Sequence, residues 1–286
     1  MSRWLVAGAG GMLGQDLIAA LARDGQDVAT FSHRELDIAD EAAVRAAVRH
    51  RRPELVVNCA AWTAVDDAES HEPEALRVNG QGPAYLAAAC ADVGSRLMHV
   101  STDYVFAGDA CRPYPEDGVT APRTAYGRTK RAGERAVLQL LPEAGYVVRT
   151  AWLYGTHGPN FVRTVIGLAD EGPTVTVVDD QRGQPTWAAD VADQIIALAG
   201  SRAPAGVYHA TSSGETTWFG LAQEVFRLLG VDPARVKPAT SADYPRPAPR
   251  PGYSVLGHDA WAKSGLAPLP DWRTSLRRAF PSLAAA

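Results

Sequence analysis

The sequence predicts an α/β fold built on a doubly wound parallel sheet, followed by a smaller C-terminal domain. Through the first half of the chain, short apolar segments alternate with helical segments of about 10–20 residues, which is the pattern of βαβ units. The first apolar segment, at residues 3–8, runs directly into a glycine-rich turn. Beyond residue 150 prolines and glycines become dense and tryptophans recur. Together these features indicate a Rossmann-type sheet with a second, smaller domain.

The elements of the first half follow from local patterns. Leu13, Leu17 and Leu21 recur at helical spacing and predict the first helix, and Asp40 is a residue type that caps helix N-termini. Ligands of such sheets bind beyond the carboxyl ends of the strands, where functional residues are therefore expected. Strands are predicted at residues 3–8, 28–31, 55–58, 96–101 and 146–149, and helices at residues 12–22, 40–50, 73–93 and 124–141.

Composition excludes several classes of protein. The chain has 286 residues, a net charge of −4 and a pI near 6.0, so no basic excess points to nucleic acid or an anionic membrane. No apolar run approaches the ~20 residues that span a bilayer. Three cysteines lie far apart without a CxxC pair, which predicts no metal site, no disulfide framework and a reduced, cytoplasmic location.

The glycine-rich turn has the spacing of a phosphate-binding loop. Gly8, Gly11 and Gly14 form a GxxGxxG pattern between the first strand and the first helix. Small residues let the backbone approach a pyrophosphate, and the helix N-terminus supplies free N–H groups with a partial positive charge. The alternative is a tight turn without a ligand. We therefore predict that residues 1–150 form a dinucleotide-binding domain.

The end of the second strand bears on the choice of cofactor. A ribose-binding carboxylate is typical at this place, but the chain offers Ser32-His33-Arg34. Arg34 could meet a 2′-phosphate, which favours NADPH, with NADH as the alternative; a solvated loop arginine is the simpler interpretation. Asp37 follows shortly and could reach the adenine amino group.

The second half is predicted to be mainly a substrate-binding domain, residues 151–286. A strand at 174–178 and a helix at 189–198 are expected to return to the central sheet, so that residues of about 174–200 rejoin the first domain. The segment 238–251 contains five prolines and is not helical. Such a segment predicts an ordered substrate-domain loop or lid.

A YxxxK pair marks the predicted helix at residues 124–141. Tyr126 and Lys130 are four residues apart and so share one helix face. Only three of the 28 basic residues are lysines, which makes each lysine informative. The phenol could donate a proton to a carbonyl oxygen, and the ammonium would lower its pKa toward neutrality. The alternative is an ordinary helix surface pair.

Hydroxyl groups stand at the carboxyl end of the fourth predicted strand. Ser101 or Thr102 could donate a hydrogen bond to the same carbonyl oxygen. Strand-end hydroxyls that cap the backbone are the alternative for either residue. The position itself is one where catalytic groups collect in this architecture.

Several segments together carry a family resemblance. The segments STDYVF (101–106), YGRTK (126–130) and DQRGQPT (180–186) follow the glycine loop in this order, and matches cover most of the chain. The chain resembles the extended short-chain dehydrogenases, and within them the dTDP-4-dehydrorhamnose reductase family. STDYVF and DQRGQPT are specific to that family and its near relatives; the glycine loop is not. Cys59 departs from the pattern, since the family commonly has alanine there.

The resemblance implies an activity and a set of site residues. It implies reduction of the C4 keto group of a dTDP-4-keto-6-deoxysugar by NADPH or NADH, foremost dTDP-4-dehydro-L-rhamnose to dTDP-L-rhamnose, with a homodimer left open. The implied catalytic residues are Thr102, Tyr126 and Lys130, supported by Asp103. The cofactor-binding residues are predicted to be Gly8, Gly11, Met12, Leu13, Gly14, Arg34, Asp37, Ile38, Ala60, Ala61 and Thr63, together with Tyr126 and Lys130. The substrate-binding residues are predicted to be Val65, Tyr104, Trp152 and Arg250.

Three alternatives remain open at this stage. The arginine- and alanine-rich composition suits a GC-rich genome, in which related reductases of other dTDP-deoxysugars serve antibiotic pathways. A sugar epimerase or dehydratase of the same superfamily would keep YxxxK, although a dehydratase usually adds an acid pair after the threonine, and here Asp103 is followed by Tyr104. A non-catalytic, NADP-binding regulatory subunit would turn over no substrate.

Overall fold

The computed structural model describes residues 3–170 and 172–285. Its strands are, in chain order, β1 (Arg3–Ala7), β2 (Asp27–Phe31), β3 (Leu55–Asn58), β4 (Arg96–Thr102), β5 (Gly145–Thr150), β6 (Leu153–Tyr154), β7 (Val175–Val178), β8 (Arg182–Gly183), β9 (Thr186–Trp187), β10 (Gly206–His209), β11 (Ser212–Ser213), β12 (Thr216–Thr217), β13 (Val236–Ala239) and β14 (Leu269–Asp271). Its α-helices are α1 (Met12–Arg23), α2 (Glu41–Arg51), α3 (Glu72–Leu76), α4 (Gly82–Val93), α5 (Ala125–Leu140), α6 (Phe161–Leu168), α7 (Ala188–Gly200), α8 (Trp218–Leu228), α9 (Asp259–Lys263) and α10 (Trp272–Ala284).

The central sheet is parallel throughout and has the strand order β10-β5-β4-β3-β1-β2. The five strands predicted in the first half of the chain are β1 to β5, so the predicted α/β class with a doubly wound sheet is confirmed. The chain leaves β1 toward β2 on one side and returns to β3 on the other. This reversal opens a crevice at the carboxyl ends of β1 and β3, where such folds bind ligands.

Helices cover both faces of the sheet. Helices α1 and α7 pack against each other on one face, and α2, α4 and α5 pack side by side on the other. Each layer buries its own apolar cluster against the central strands, whose side chains are almost completely buried. Burial on both faces explains why β3 and β5 are continuous apolar runs. Among the described residues, no helix is long and apolar enough to cross a membrane.

The helix predicted at 73–93 is a run of three helical pieces. Helix α3 continues through a π-helical turn, Arg77–Gln81, into α4. Pro83 explains the irregularity, because it has no N–H to donate to the carbonyl group of Asn79 four residues earlier. The turn leaves the Asn79 side chain fully buried beside the carboxyl end of β3.

The second half differs from the expectation in two strands. The predicted return of residues 174–178 to the central sheet is wrong, because β7 pairs with β13 in a separate two-stranded sheet. The sixth strand of the central sheet is β10, which pairs with β5. Helix α7 does return, as predicted for 189–198, and packs on α1. Hydrophobic pattern alone does not distinguish these strands, since each is a short apolar run whose partner is distant in sequence.

A separate apolar cluster organises much of the remaining C-terminal part. Helices α6, α8 and α10 bury Val165, Phe226 and Leu276 against one another and against β7 and β13. The proline-rich segment starts within β13, passes through a 3-10 turn at Ser241–Asp243 and then runs without helix to residue 251. This extended path is what the five prolines predict.

Candidate active site

The glycine loop packs so tightly at Gly8 and Gly14 that neither position has room for a side chain. Gly8 has a φ of 79°, and a Cβ atom there would lie 2.4 Å from the backbone nitrogen of Ala60. A Cβ atom on Gly14 would lie 2.3 Å from the carbonyl oxygen of Gly8. Helix α1 starts after Gly11 with no side-chain cap, so Met12 and Leu13 in its first turn present backbone N–H groups beyond the sheet edge. The cradle fits the diphosphate of a dinucleotide.

The turn after β2 holds the residues predicted to meet the adenosine end. The Ser32 backbone N–H and hydroxyl both donate to the Glu35 carboxylate, at 2.8 and 2.7 Å. The hydrogen bonds of this carboxylate are therefore made within the turn. Arg34 lies exposed in the same turn. Asp37 accepts the backbone N–H of Ala39 at 2.9 Å, and Ile38 is buried against the helix layer. The turn therefore presents a cation, as NADPH would require.

The segment after β3 forms the opposite wall of the crevice. The Asn58 side chain accepts the backbone N–H of Ala60 at 3.1 Å and so shapes the chain where it leaves the strand. Asn79 clamps Trp62 from both sides, since its amide accepts the Trp62 N–H at 2.9 Å and donates to the Trp62 carbonyl at 3.0 Å. Ala61 and Thr63 flank this clamp.

The end of β4 carries three adjacent residues of the candidate site. The Thr102 hydroxyl donates to the Asp103 carboxylate at 2.9 Å and accepts the backbone N–H of Tyr104 at 3.2 Å. Asp103 is buried, and burial raises its pKa to about 6 although hydrogen bonds from Ser254 and Thr102 oppose the rise. The hydroxyl of Ser101 is buried with no hydrogen-bond partner among the described residues. It remains available to a ligand.

Helix α5 begins where its capping residues fix it. The Thr124 side chain accepts the N–H of Gly127 at 3.0 Å, and Glu69 accepts the N–H of Ala125 at 2.8 Å. Tyr126 thus projects from the first turn, with its ring edge-on to Tyr104 at 5.6 Å between centroids. Burial raises the pKa of Tyr126 to about 12, against the lowering effect of a hydrogen bond with the Thr102 side chain.

Lys130 lies one turn further along α5 and beneath Tyr126. Its ammonium group donates to the carbonyl of Val100 at 2.6 Å, and the residue is only 2% exposed. Burial lowers its pKa to about 8. The expected lowering of the Tyr126 pKa by this lysine is not seen, because the amine is turned toward β4 and burial is the main influence on the phenol.

A cavity of about 760 Å³ opens above these residues. Its walls come from β4, α5, α6, β7 and the proline-rich segment, so it lies between the central sheet and the C-terminal part. The predicted residues that line it are Thr63, Val65, Thr102, Asp103, Tyr104, Tyr126, Trp152 and Arg250. Its volume suits a ligand of nucleotide-sugar size.

One wall of the cavity is aromatic and strained. The Trp152 indole stacks on Trp218, with 3.5 Å between ring centroids and an interplanar angle of 5°. Its backbone has a φ of 48°, which a non-glycine residue seldom adopts. A Cβ atom on Gly183 would lie 2.5 Å from the same indole, so only glycine fits there. Such strain at a cavity wall is typical of ligand-binding sites.

Cations line the side formed by the proline-rich segment. Arg250 forms an ion pair with Asp66 at 2.7 Å, and the same carboxylate accepts the backbone N–H of Ala248 at 3.2 Å. Asp66 thereby ties this segment to the chain that follows β3. Arg246 also lines the cavity. Two arginines at one wall suit a ligand with a diphosphate group.

The structure therefore brings most of the predicted residues into two adjoining regions. The glycine loop, Ala60 and Ala61 line the crevice, while the hydroxyl, phenol and aromatic groups line the cavity beside it. Arg34 and Asp37 lie apart from the cavity, after β2 at the sheet edge. Within the described ranges, no group of three or more His, Cys, Asp or Glu residues could hold a metal ion.

Sequence reasoning missed several residues of the site. Asp66, Asn79 and Trp218 hold other groups in place through contacts between segments distant in sequence. Arg246 could have been found, because the proline-rich segment repeats a Pro-flanked arginine at 246 and 250.

Comparisons with known proteins agree on one family. A family model described as the RmlD substrate binding domain matches residues 2–284. A dTDP-4-dehydrorhamnose reductase of Streptomyces griseus is 59% identical over 98% of this chain and 94% of that protein. A dTDP-4-keto-6-deoxy-D-glucose reductase of Streptomyces niveus is 55% identical over 98% of this chain and 97% of that protein.

A solved structure supports the same conclusion. The dTDP-4-dehydrorhamnose reductase of Bacillus anthracis, in complex with NADP, superposes with a TM-score of 0.94 at 36% identity. The superposition covers 98% of this chain and 99% of that one. The likeness thus extends over both the sheet and the C-terminal part.

Proposed function

Since this chain belongs to the RmlD substrate binding domain family, we propose that it reduces the C4 keto group of a dTDP-linked 4-keto-6-deoxysugar with NADPH or NADH. The foremost substrate is dTDP-4-dehydro-L-rhamnose, which gives dTDP-L-rhamnose. The observation that carries the proposal is the meeting of Tyr126 and Thr102 at the floor of the cavity, beside the glycine crevice.

The crevice residues would hold the cofactor. The backbone at Gly8, Gly11 and Gly14 and the N-terminus of α1 bind the diphosphate, and Arg34 meets a 2′-phosphate. The bound nicotinamide supplies the hydride, and the protein supplies orientation and electrostatics. We propose that residues 1–150 with α7 form this cofactor-binding part and that residues from 151 onward mainly bind the substrate.

The proton comes from the protein. Tyr126 donates its phenolic proton to the oxygen that develops negative charge at C4, and its raised pKa keeps it in the protonated, donating form. Thr102 donates a hydrogen bond to the same oxygen once its hydroxyl turns from Asp103. Lys130 stabilises the phenolate that remains when its amine carries a proton, as it does below its pKa of about 8.

The cavity walls account for binding of the nucleotide-sugar. Trp152 offers a flat apolar surface and Arg246 and Arg250 offer cations to the diphosphate. Val65 and Tyr104 also line the cavity, and the Tyr104 ring contacts the ring of Tyr126. A cytoplasmic location fits the three unpaired cysteines, and a homodimer is one assembly that mass measurement would detect.

A second candidate substrate has its own support. Relatives from Streptomyces antibioticus and Streptomyces niveus, at 56% and 55% identity, are named as 4-ketoreductases of other dTDP-sugars. The alternative activity is therefore reduction of another dTDP-4-keto-6-deoxysugar, with the same residues in the same roles. A regulatory, non-catalytic role would give no chemical function to the Tyr126 phenol and the Thr102 hydroxyl in the cavity.

The test is oxidation of NADPH with enzymatically generated dTDP-4-dehydro-L-rhamnose, with the product identified by NMR. Tyr126→Phe should lower kcat by about 100-fold or more with cofactor binding retained, since only the proton donor is lost. Tyr85→Phe, on α4 in the helix layer, is the matched control and should keep full activity. Near-normal turnover by Tyr126→Phe would contradict the mechanism.

The product then identifies the substrate class. Formation of dTDP-L-rhamnose supports the foremost substrate. Formation of the C4 epimer would support the reductase activity and would mean that the physiological product is another dTDP-deoxysugar. Binding of NADPH without turnover of any dTDP-keto-sugar would overturn the proposed activity and support the regulatory role.

A further inference from the structure

A buried polar chain runs across the sheet directly beneath the candidate active site. Asn58 on β3 and His99 on β4 are register partners in adjacent strands, and both side chains are fully buried. The Asn58 amide nitrogen lies 3.1 Å from His99 Nδ1. The Lys130 amine closes the chain, with Nζ 3.4 Å from His99 Nε2. None of the catalytic roles proposed above uses His99.

The orientation of Asn58 determines which nitrogen of His99 carries a proton. Asn58 Oδ1 accepts the backbone N–H of Ala60, so the amino group of the same amide faces His99. An amino group can only donate, and His99 Nδ1 must therefore accept. A neutral imidazole with an accepting Nδ1 carries its proton on Nε2. His99 thus turns an N–H group toward Lys130.

This N–H group discriminates between the two forms of the lysine. A neutral amine can accept from His99 Nε2–H with its lone pair while it donates to the Val100 carbonyl at 2.6 Å. An ammonium has no lone pair, so two donors then face each other in a buried place. The contact therefore costs more when Lys130 is charged than when it is neutral.

We propose that His99 is a positioning residue for Lys130, holding its amine over the Val100 carbonyl and disfavouring the ammonium form through Nε2–H. The contact would set how much positive charge Lys130 offers to the Tyr126 phenolate during turnover, a consequence that rests on the proposed function. The contact between His99 and Lys130 itself does not rest on that function.

Other groups around Lys130 also raise or lower its pKa. Burial is the main cause that lowers its pKa to about 8, whereas Glu134 on α5 and Cys59 after β3 raise it. Glu134 is paired with Arg149 at 2.8 Å, which limits its effect on the lysine. Burial, followed by the lysine charge, lowers the pKa of His99 well below its usual value, so the imidazole is neutral.

The scarcity of lysine makes a direct test practical. In protein labelled at lysine Cε and Nζ, NMR titration follows Lys130 beside Lys237 and Lys263, which are exposed and serve as internal references. Lys130 should titrate near pH 8, about two units below the ordinary value of a lysine. In His99→Leu, loss of the facing N–H should move the Lys130 titration upward by about one unit. Met98→Leu, a buried neighbour on the opposite face of β4, should leave it in place.

The sign of the shift decides between the two arrangements. A downward shift in His99→Leu would mean that the imidazole accepts from the ammonium, and no shift would mean that it does not act on Lys130; either result overturns the proposal. Should His99→Leu fail to fold, nitrogen NMR of the unmodified protein reports the tautomer, and a proton on Nδ1 overturns the proposal equally. Neither measurement uses substrate or cofactor. Both therefore test the role of His99 even if the proposed activity is wrong.

Discussion

At the scale of single residues, burial dominates the chemistry of the candidate site. Tyr126, Lys130 and Asp103 are all largely withdrawn from water, and each has its pKa moved toward the neutral form. For Tyr126, proposed as the proton donor, this shift preserves the protonated form across the neutral range. For Asp103, the raised pKa means that ionisation of the carboxyl costs more free energy in the folded protein than in the unfolded chain.

That cost predicts a pH-dependent gain in stability for Asp103→Asn. The folded state holds the Asp103 proton more tightly than the unfolded chain, with a pKa of about 6 against an ordinary value near 4. The stability that this carboxyl contributes is therefore lost as pH rises through about 6. The free energy of unfolding of the variant should exceed the wild-type value by about 3 kcal/mol at most at pH ~8, and by less than about 1 kcal/mol at pH ~4.

Urea denaturation at the two pH values measures this difference. Asp117→Asn removes an exposed carboxylate and should give no comparable gain at either pH. A gain for Asp103→Asn that is equal at both pH values would show that ionisation of the buried carboxyl is not its cause.

A second residue-scale prediction concerns Arg34. If its exposed guanidinium meets the 2′-phosphate, Arg34→Ala should raise the Kd for NADPH by about 10-fold or more and change the Kd for NADH little. Fluorescence titration of each cofactor measures both constants. Arg112→Ala, an exposed loop substitution, is the control. An equal rise of the Kd for NADPH and for NADH would show that Arg34 does not bind the 2′-phosphate.

At the scale of elements, one helix and one loop organise the site. Helix α5 carries Tyr126 and Lys130 one turn apart, and the Glu134–Arg149 ion pair, 4% exposed on both sides, anchors that helix to β5. The hydrogen-bonded cap at Thr124 fixes where the helix begins. The position of the Tyr126 phenol near Thr102 therefore depends on contacts at the start and in the middle of one helix.

The glycine loop gives a prediction at the same scale. In Gly14→Ala the added Cβ would lie 2.3 Å from the Gly8 carbonyl oxygen, so loop and helix must separate. The Kd for NADPH should rise by at least ~10-fold, because the diphosphate loses N–H groups of α1. Calorimetric titration measures the constant. Gly167→Ala, where a Cβ meets open space on α6, is the matched control and should bind NADPH normally. Normal binding by Gly14→Ala would contradict the role of the loop.

At the scale of the whole molecule, the cavity exists because two packed parts meet. One apolar cluster on the sheet is built largely from the first half of the chain, and the cluster on the other face is shared with α7 and later segments. Helices α6, α8 and α10 enclose a third cluster of their own. The hydroxyl and phenol groups of the candidate site come from the first part, and the aromatic wall and the arginines come from the second. Asp66, bonded to Arg250, joins the two across the cavity.

The sequence by itself determined the α/β class and the positions of the first five strands along the chain, and it predicts the hydroxyl, phenol and glycine residues of the candidate site. These follow from local signals: periodicity, capping types and short motifs at strand ends. The placement of β7 and β10, the Trp152–Trp218 stack and the Asp66–Arg250 pair were decided only by tertiary structure. Each joins segments far apart in sequence, and local patterns carry no information on such pairings. The same reason applies to pKa values, because the burial that moves the pKa values of Tyr126, Lys130 and Asp103 arises only when segments distant in sequence pack together.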